Sequence, residues 1–331
     1  MRLFPIETGS GGEPGARIGF GCASLGDLLD FSAKCKVIEA AYEAGFRHFD
    51  VAPSYAHGEG EAALATALAG VRDRVSIVTK AGIAHPKAAG TMKKLRRLAS
   101  PIKALLPAAV WGAARRNASR LNAPEGRFNP EQIEASVTES LRRLQSDSID
   151  ALLLHEVITG DLAPDTLATL DGLVARGVVR ALGTGTSMAE TARIAETHGA
   201  RFQAYQLNHY WGAWMPALAT HGATVITHRC IRTGLELLVA PAVRQQIAAH
   251  PEARALQAAC ADKRRAGSLM LMAAAQAELP GMVLVSSSKA ERARQFVETI
   301  RGGEMAALGR ALNECFDSLA KRPGATEAAI S

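Results

Sequence analysis

Four polar residues follow predicted strands at positions where their side chains would meet at one end of a sheet. Asp50, Lys80 and His155 each end a short apolar run, and Tyr55 lies in the loop just after Asp50. A tyrosine phenol has a pKa of about 10, but an adjacent lysine cation favours the phenolate and lowers that pKa. A carboxylate keeps the lysine charged, and a neutral imidazole can position a carbonyl oxygen. Together the four side chains would protonate an oxygen while hydride arrives at the neighbouring carbon.

Each of these residues also has a purely structural interpretation. Asp50 could cap the following turn, and Lys80 could be a solvated strand end. His155 could be a hydrogen-bonded histidine of the core, and Tyr55 could simply pack within its loop. For any one residue the structural interpretation is the commoner one. Four such residues at successive strand ends favour a catalytic site.

The elements that would carry these residues are short apolar runs separated by longer segments with helical spacing. Several helix ends are recognisable: Gly45 is typical of a C-cap, and Asn129 precedes a helix with proline at its first position. Ser187 is predicted to cap a later helix, with Glu190 completing a capping box. The eight predicted strands are Arg17–Gly21, Phe46–Asp50, Val75–Lys80, Ile149–Leu154, Val178–Gly183, Ala204–Leu207, Ala223–Thr227 and Met282–Val285.

This alternation of strands and helices predicts the fold class. Repeated βα units form a parallel sheet with helices outside it, and eight of them in this length favour a (β/α)8 TIM barrel over an open sheet. A doubly wound sheet is the alternative, but no G-x-G-x-x-G follows the first strand. We therefore predict a single barrel domain over residues 1–331, with its site at the carboxyl ends of the strands.

Composition limits the class of protein. The chain has 331 residues, of which 48% are hydrophobic and 21% charged, which rules out intrinsic disorder and disulfide scaffolds. The five cysteines are odd in number and lack a C-x-x-C pair, so we expect reduced thiols. The N-terminus has no apolar signal region and no segment has the pattern of a membrane span. These features predict a cytoplasmic protein.

The motifs around the candidate site resemble those of the aldo-keto reductase family. Residues 45–55 read GFRHFDVAPSY and are followed by Glu59, which is similar to the family's G-x-R-x-x-D-x-A-x-x-Y signature. Val78-Thr79-Lys80 resembles the strand that carries the family's lysine, and residues 150–155 resemble its D-x-x-x-x-H strand. The resemblance extends from about Ile18 to about Ile300 and implies a TIM barrel that binds NADP(H) without a Rossmann domain.

The resemblance also implies roles for the four polar residues. Tyr55 would be the general acid, and Lys80 would lower its pKa. Asp50 would pair with Lys80, and His155 would orient the substrate carbonyl. The implied reaction is reduction of an aldehyde or ketone by NADPH, or the reverse, on a small-molecule carbonyl substrate.

The nicotinamide end of the implied cofactor site departs from the family pattern. Gln206 matches the glutamine that binds the carboxamide, but Gly185 and Thr186 stand where the family usually has Ser-Asn. His228 stands where an aromatic ring stacks on the nicotinamide. An imidazole can still stack, with less area.

The phosphate and adenosine positions are altered as well. Arg229 and Arg232 could compensate for the other changes by binding the pyrophosphate. Ser287 and Arg292 match positions that hold the adenosine 2′-phosphate, and Phe296 replaces the asparagine that meets the adenine. Ser286, Ser287 and Ser288 also fit a plain cluster of helix N-cap residues. Such a cluster is compatible with phosphate binding, in which Ser288 would take part.

The positive charge of the chain is concentrated in residues 81–127. The formal net charge is +6, from 38 Lys and Arg against 32 Asp and Glu. This segment has ten basic residues and one acid, so it carries +9 and the rest of the chain −3. Three interpretations remain open: a lid that attracts anionic ligands, an amphipathic surface at an acidic membrane, and a solvated basic face. Trp111 is a candidate pocket residue, and nucleic-acid binding is weakly supported because no aromatic residues interleave the charges.

Two alternatives to the reductase remain open. The first is a Schiff-base aldolase that uses Lys80, because TIM barrels often place a lysine at this position. The second is a regulatory protein that senses NADP(H) and docks a partner through residues 81–127. The barrel exterior gives no interface signal, so the sequence predicts no oligomeric state.

Overall fold

Eight parallel strands close into a barrel, with each strand bonded to the next and the eighth to the first. The computed structural model describes residues 18–83, 128–212, 222–277 and 281–320. The (β/α)8 barrel predicted from the strand–helix alternation is confirmed. The strands are β1 Ile18–Gly21, β2 His48–Asp50, β3 Ser76–Ala81, β4 Ala151–His155, β5 Leu182–Gly185, β6 Ala204–Asn208, β7 Thr224–His228 and β8 Gly281–Val285.

Helices follow the strands and pack around the barrel. No helix in the described ranges is both long enough and apolar enough to cross a membrane. The eleven α-helices of these ranges are α1 Phe31–Ala44, α2 Gly60–Ala67, α3 Pro130–Leu144, α4 Pro164–Ala175, α5 Met188–His198, α6 Cys230–Leu237, α7 Pro241–Ala249, α8 Ala253–Ala261, α9 Lys263–Gln276, α10 Ala290–Gly302 and α11 Ala306–Ala320.

The predicted caps at Gly45 and Asn129 are confirmed. Gly45 ends α1 with φ of 113°, a conformation that glycine adopts without a side-chain clash. The Asn129 side chain accepts a hydrogen bond from the backbone of Gln132 at 2.8 Å, with proline at the first position of α3. Both ends are therefore fixed by local chemistry that the sequence displays.

The capping box predicted at the start of α5 is wrong in one half. Ser187 Oγ accepts from the backbone of Glu190 at 3.3 Å, as predicted. The Glu190 carboxylate does not return to the cap residue; it accepts from the backbone and hydroxyl of Thr159, at 2.9 and 3.0 Å. A donor pair from a neighbouring loop outcompetes the local partner, and a local pattern carries no information about such a donor.

The predicted fifth strand, Val178–Gly183, has the wrong bounds. Val179, Ala181 and Leu182 are buried, but Val179 makes only an isolated bridge with Ile149. The continuous ladder begins at Leu182, opposite Leu152, and runs to Gly185. Hydrophobicity reports burial, whereas a strand is defined by its neighbour's hydrogen bonds, so the two boundaries need not coincide.

Alternation along the strands separates the barrel interior into layers. Asp50, Lys80 and His155 each lie two residues beyond a side chain that already faces the interior, so they also face inward near the carboxyl ends of their strands. Gln206 and His228 are placed in the same way. A separate apolar cluster fills the middle of the interior: Val78, Ala151, Leu153, Ala181, Ala204, Ile226, Met282 and Leu284.

Asp150 secures the opposite end of the barrel. Its carboxylate accepts from Arg72 at 2.9 Å, from Arg180 at 2.8 Å and from the backbone of Ile77 at 2.9 Å. The aspartate of the D-x-x-x-x-H strand therefore lies at the amino end of β4, whereas His155 lies at the carboxyl end. In a TIM barrel the amino end serves stability and the carboxyl end serves chemistry.

Gly183 is required for close packing in the interior. A Cβ there would lie 2.4 Å from the Ala204 carbonyl oxygen and 2.5 Å from Leu153 Cδ2. We expect Gly183→Ala to lower the free energy of unfolding by about 1–3 kcal/mol, measured by urea denaturation, because the backbone must move. Gly267→Ala is the matched control: its Cβ would contact only Ile231 Cγ2, at 3.6 Å, and alanine favours helix α9. Equal stability of the two variants would contradict the prediction.

Candidate active site

Asp50 and Lys80 form a buried ion pair at the carboxyl end of the barrel. Lys80 Nζ donates to Asp50 Oδ1 at 2.7 Å and to the Val51 carbonyl oxygen at 3.1 Å. The exposed fractions of the two residues are 1% and 3%, so Lys80 is not a solvated strand end. Burial lowers the pKa of Lys80, but Asp50 and Tyr55 raise it by more, and the net shift is upward. The ammonium is therefore charged at neutral pH.

Tyr55 is presented by a tight turn after β2. The turn spans Tyr55–Gly58, and two of its residues are left-handed: Ala56 has φ of 52° and His57 has φ of 62°. Such conformations cost about 1–2 kcal/mol in residues other than glycine. A hydrogen bond of 2.9 Å between His57 Nε2 and the Gly26 carbonyl oxygen helps to hold the turn.

The turn directs Tyr55 against the ion pair. Lys80 Nζ lies 4.9 Å from the centroid of the Tyr55 ring. His155 lies on the other side, with its ring centroid 6.2 Å from that of Tyr55 and the planes at 86°. The structure thus brings together all four residues that the sequence analysis placed at one site.

The pKa of Tyr55 is shifted upward, whereas the sequence led us to expect a downward shift. Burial raises it most, Lys80 lowers it and Asp50 raises it again, so that the net shift is upward. The predicted effect of Lys80 is present, but desolvation of the phenolate outweighs it. A partly buried tyrosine that keeps its proton is suited to the role of an acid.

Gln206 belongs to the same cluster, although it comes from the far side of the barrel. Its Nε2 donates to Asp50 Oδ2 at 2.7 Å, across the interior from β6 to β2. Its Oε1 lies beside Gly185, where a Cβ would be 3.5 Å away. Gln206 was predicted to bind the cofactor, and its contact with Asp50 was not predicted.

The other predicted cofactor residues of this side occupy the rim. His228 ends β7, and burial together with the charge of Arg229 lowers its pKa to about 4, so the ring is neutral at pH 7. Arg229 is exposed and adopts a left-handed conformation immediately before α6. Arg232 is exposed one turn further on and donates to Glu236 at 2.9 Å. This surface pair contributes little stability and leaves Arg232 available to a stronger anion.

The serines after β8 do not cap a helix. Ser286 Oγ donates to Ser24 Oγ at 2.7 Å, and Ser287 Oγ accepts from the backbone of Lys289 at 3.0 Å. Helix α10 begins only at Ala290, and the residue before it provides no side-chain cap. The N-cap interpretation of these serines is therefore wrong, because the chain makes one more turn before the helix starts.

The predicted adenosine positions lie on α10 and just before it. Phe296 is buried in the main hydrophobic core. The exposed Arg292 places its guanidinium carbon 5.6 Å from the centroid of the Phe296 ring. Ser288 is partly buried between Ser287 and the helix. The Phe296 ring thus packs in the core with Arg292 over it, whereas a polar side chain at this position would face outward.

Two residues at this end of the barrel, Cys22 and Ser24, were not singled out from the sequence. Ser24 and Cys22 follow β1, and Cys22 is buried beside Asp50 and Lys80, where burial raises the pKa of its thiol. Asn208 Oδ1 is buried and has no hydrogen-bond partner among the described residues. The rule of examining strand ends, if applied to the first strand, finds Cys22 and Ser24.

The predicted pocket residue Trp111 lies outside the described residues. So does the basic segment 81–127, apart from its first three residues, of which Ala81 ends β3. Their predicted roles stay predictions.

The site combines a buried lysine and aspartate with a partly buried tyrosine and histidine at the carboxyl end of a TIM barrel, and comparison with known proteins identifies the family. The sequence model of the aldo/keto reductase family matches residues 17–211, more than half of the chain. The chain belongs to this family, as its motifs predicted.

The chain is also similar to named enzymes. It is 31% identical over 180 residues to a D-threo-aldose 1-dehydrogenase of Pseudomonas sp., which covers 52% of this chain and 50% of the relative. It is 31% identical over 174 residues to a 6-dehydroglucose reductase of Agrobacterium fabrum, covering 51% and 49%. The chain thus spans about half the length of the curated relatives it matches.

Solved structures share the fold over almost the whole chain. The holo form of an aldo-keto reductase from Bacillus halodurans superposes with a TM-score of 0.63 at 20% identity, covering 89% of this chain and 91% of the other. An aldo/keto reductase from Klebsiella pneumoniae in complex with NADP and acetate gives a TM-score of 0.60 at 19% identity, covering 91% of both chains. At this identity the likeness concerns the fold.

Proposed function

We propose that the chain is an NADP(H)-dependent oxidoreductase that reduces an aldehyde or ketone to an alcohol, or catalyses the reverse, with Tyr55 as proton donor. The observation that carries this proposal is the buried Lys80–Asp50 pair placed against Tyr55. Membership of the aldo/keto reductase family supports it, as does the NADP-bound neighbour.

The proton chemistry belongs to the chain's own residues. A bound reduced nicotinamide supplies the hydride. As negative charge develops on the substrate oxygen, Tyr55 donates its phenolic proton to that oxygen, and the Lys80 ammonium stabilises the phenolate that remains. Asp50 keeps Lys80 charged and in place. His155, beside the Tyr55 ring, orients the carbonyl towards the phenol.

The residues at the mouth fit a nicotinamide cofactor. A carboxamide needs hydrogen-bond acceptors, and two amide oxygens are available there: the unpartnered Oδ1 of Asn208 and Oε1 of Gln206. The neutral His228 ring provides a face for stacking. The phosphates would be held by Arg229, Arg232, Ser287, Ser288 and Arg292.

The site is less suited to a Schiff-base aldolase. An amine must lose its proton before it attacks a carbonyl, which requires a lowered pKa. The pKa of Lys80 is raised, and its ammonium donates to Asp50 and to the Val51 carbonyl oxygen. These contacts favour Lys80 as a fixed cation.

Cofactor titration followed by turnover tests the proposal. We expect NADPH to quench the intrinsic fluorescence of the protein with a lower Kd than NADH, because the arginines of the rim favour an additional phosphate. We expect NADPH oxidation with a panel of aldehydes and ketones that includes sugar aldehydes, since two relatives are named for sugars. Absence of both quenching and turnover would contradict the proposal. Quenching without turnover would instead support the regulatory NADP(H)-binding alternative.

A further inference from the structure

The Asp50 carboxylate is held by side chains from two other strands, one adjacent to β2 and one across the barrel. Its Oδ1 accepts from Lys80 of the adjacent strand β3 at 2.7 Å, and its Oδ2 accepts from Gln206 of β6 at 2.7 Å. All three residues are buried, with Gln206 only 4% exposed. Strands β2 and β6 are not neighbours, so this hydrogen bond is a direct tie across the interior.

The contact fixes the orientation of the Gln206 amide. An ionised carboxylate only accepts hydrogen bonds, so the amide nitrogen must face Asp50 and the amide oxygen must face away. The oxygen then lies beside Gly185, where no side chain competes for the space. The amide nitrogen of Gln206 therefore contacts Asp50, while its amide oxygen lies beside Gly185 at the mouth of the barrel.

We propose that Gln206 is a positioning residue for the proton-donating group and acts through Asp50. Its amide holds one oxygen of Asp50, so that the other oxygen holds Lys80, whose ammonium in turn lies 4.9 Å from the centroid of the Tyr55 ring. This role rests on the proposed reductase function. This positioning role is compatible with carboxamide binding, because the first uses the amide nitrogen of Gln206 and the second uses its amide oxygen.

Gln206→Glu separates the two roles by means of pH. The introduced carboxyl keeps the shape of the amide and, when protonated, can still donate to Asp50. When it ionises, two carboxylates face each other, and buried pairs of this kind share one proton with a raised pKa. We therefore expect kcat of the variant at saturating NADPH to come nearest to that of wild type at the acid end of the range. As pH rises from 5.5 to 9, it should fall at least tenfold further than wild type.

The other titratable groups around Asp50 are the same in both proteins. They come from the neighbouring elements and are Cys22, His48, Tyr55, Lys80 and His228. A pH step present only in the variant therefore belongs to the introduced carboxyl. Gln206→Met, which can neither donate nor ionise, should lower kcat about tenfold without adding a pH step.

Thermal unfolding of the cofactor-free protein tests the contact without using activity. Because the folded pKa of the introduced carboxyl is raised above its unfolded value, its stabilising contribution is complete at low pH and is lost as pH rises through the folded pKa. The Tm of Gln206→Glu should thus fall relative to wild type as pH rises from 5.5 to 9. Gln257→Glu, on the exposed face of α8, is the control and should follow wild type.

The two measurements give distinguishable outcomes. A pH step in both Tm and kcat supports the positioning role. A flat Tm difference shows that Gln206 does not hold Asp50, and a step in Tm without one in kcat shows that the contact does not act on the reaction; either result overturns the proposal. If the wild-type protein oxidises no NADPH, the reductase function and the positioning role both fail, and Tm still reports whether the contact exists.

Discussion

Replacing Tyr55 by phenylalanine is expected to reduce carbonyl reduction by NADPH about 10²–10⁴-fold in kcat, the usual contribution of a positioned acid. The ring keeps its place against Lys80 and His155, so only the donated proton is lost. The Kd for NADPH should change less than threefold, because the proposed cofactor contacts lie elsewhere. Initial rates and fluorescence titration on the same preparation measure both quantities.

Tyr42→Phe is the matched control for this experiment. Tyr42 lies on α1 with the Arg47 guanidinium carbon 4.2 Å from its ring centroid, and its hydroxyl has no part in the proposed reaction. That variant should retain wild-type kcat. A Tyr55→Phe protein with full activity would show that the proton comes from another group, and the mechanism given above would be wrong.

Acidification is expected to remove a large part of the folding stability, because the barrel buries neutral histidines. Burial lowers the pKa of His48 and of His209 to about 4. An unfolded histidine titrates at about 6.5, so between these values the unfolded chain binds more protons than the folded one. The free energy of unfolding should therefore fall as pH decreases through this range. The loss is at most about 3 kcal/mol for each histidine.

Urea unfolding at several pH values between 7.5 and 4.5 measures this loss. The two rings are held by hydroxyl groups: His48 lies 2.9 Å from Ser76 Oγ, and His209 lies 3.1 Å from Thr227 Oγ1. His209→Gln should flatten the pH dependence by about a third of the effect, because His48 and His228, whose pKa values are also lowered to about 4, remain. His198→Gln, at the partly exposed end of α5, should leave it unchanged. A His209→Gln protein that loses stability with pH as steeply as wild type would refute the assignment.

The placement of the acid–base residues could be predicted because it depends on two regular features. Parallel strands end at the same side of a barrel, and alternate side chains of a strand face its interior. These rules suffice to bring Asp50, Lys80 and His155 together. Tyr55 follows because it is only five residues beyond Asp50, within one short turn.

Contacts that need the closed barrel could not be predicted in the same way. Gln206 meets Asp50 only after six strands have curved round to face the second. The direction of the pKa shift of Tyr55 depends on how completely the ring is buried. A pattern of strand ends in the sequence does not indicate the extent of that burial. The contact between Glu190 and Thr159 could not be predicted for the same reason, because Thr159 lies in a loop 31 residues away.

The pairing of Asp50 with Lys80 has a consequence for the range over which the site acts. Opposite unit charges 2.7 Å apart form a dipole, whose potential decays with distance faster than that of a single charge. Tyr55 is close enough to respond to it, whereas a ligand still in solution meets almost no net charge from the pair. Long-range attraction is then left to the exposed cations at the rim, such as Arg229 and Arg292. In the proposed mechanism, capture of an anion thus works over many ångströms and control of one proton over a few.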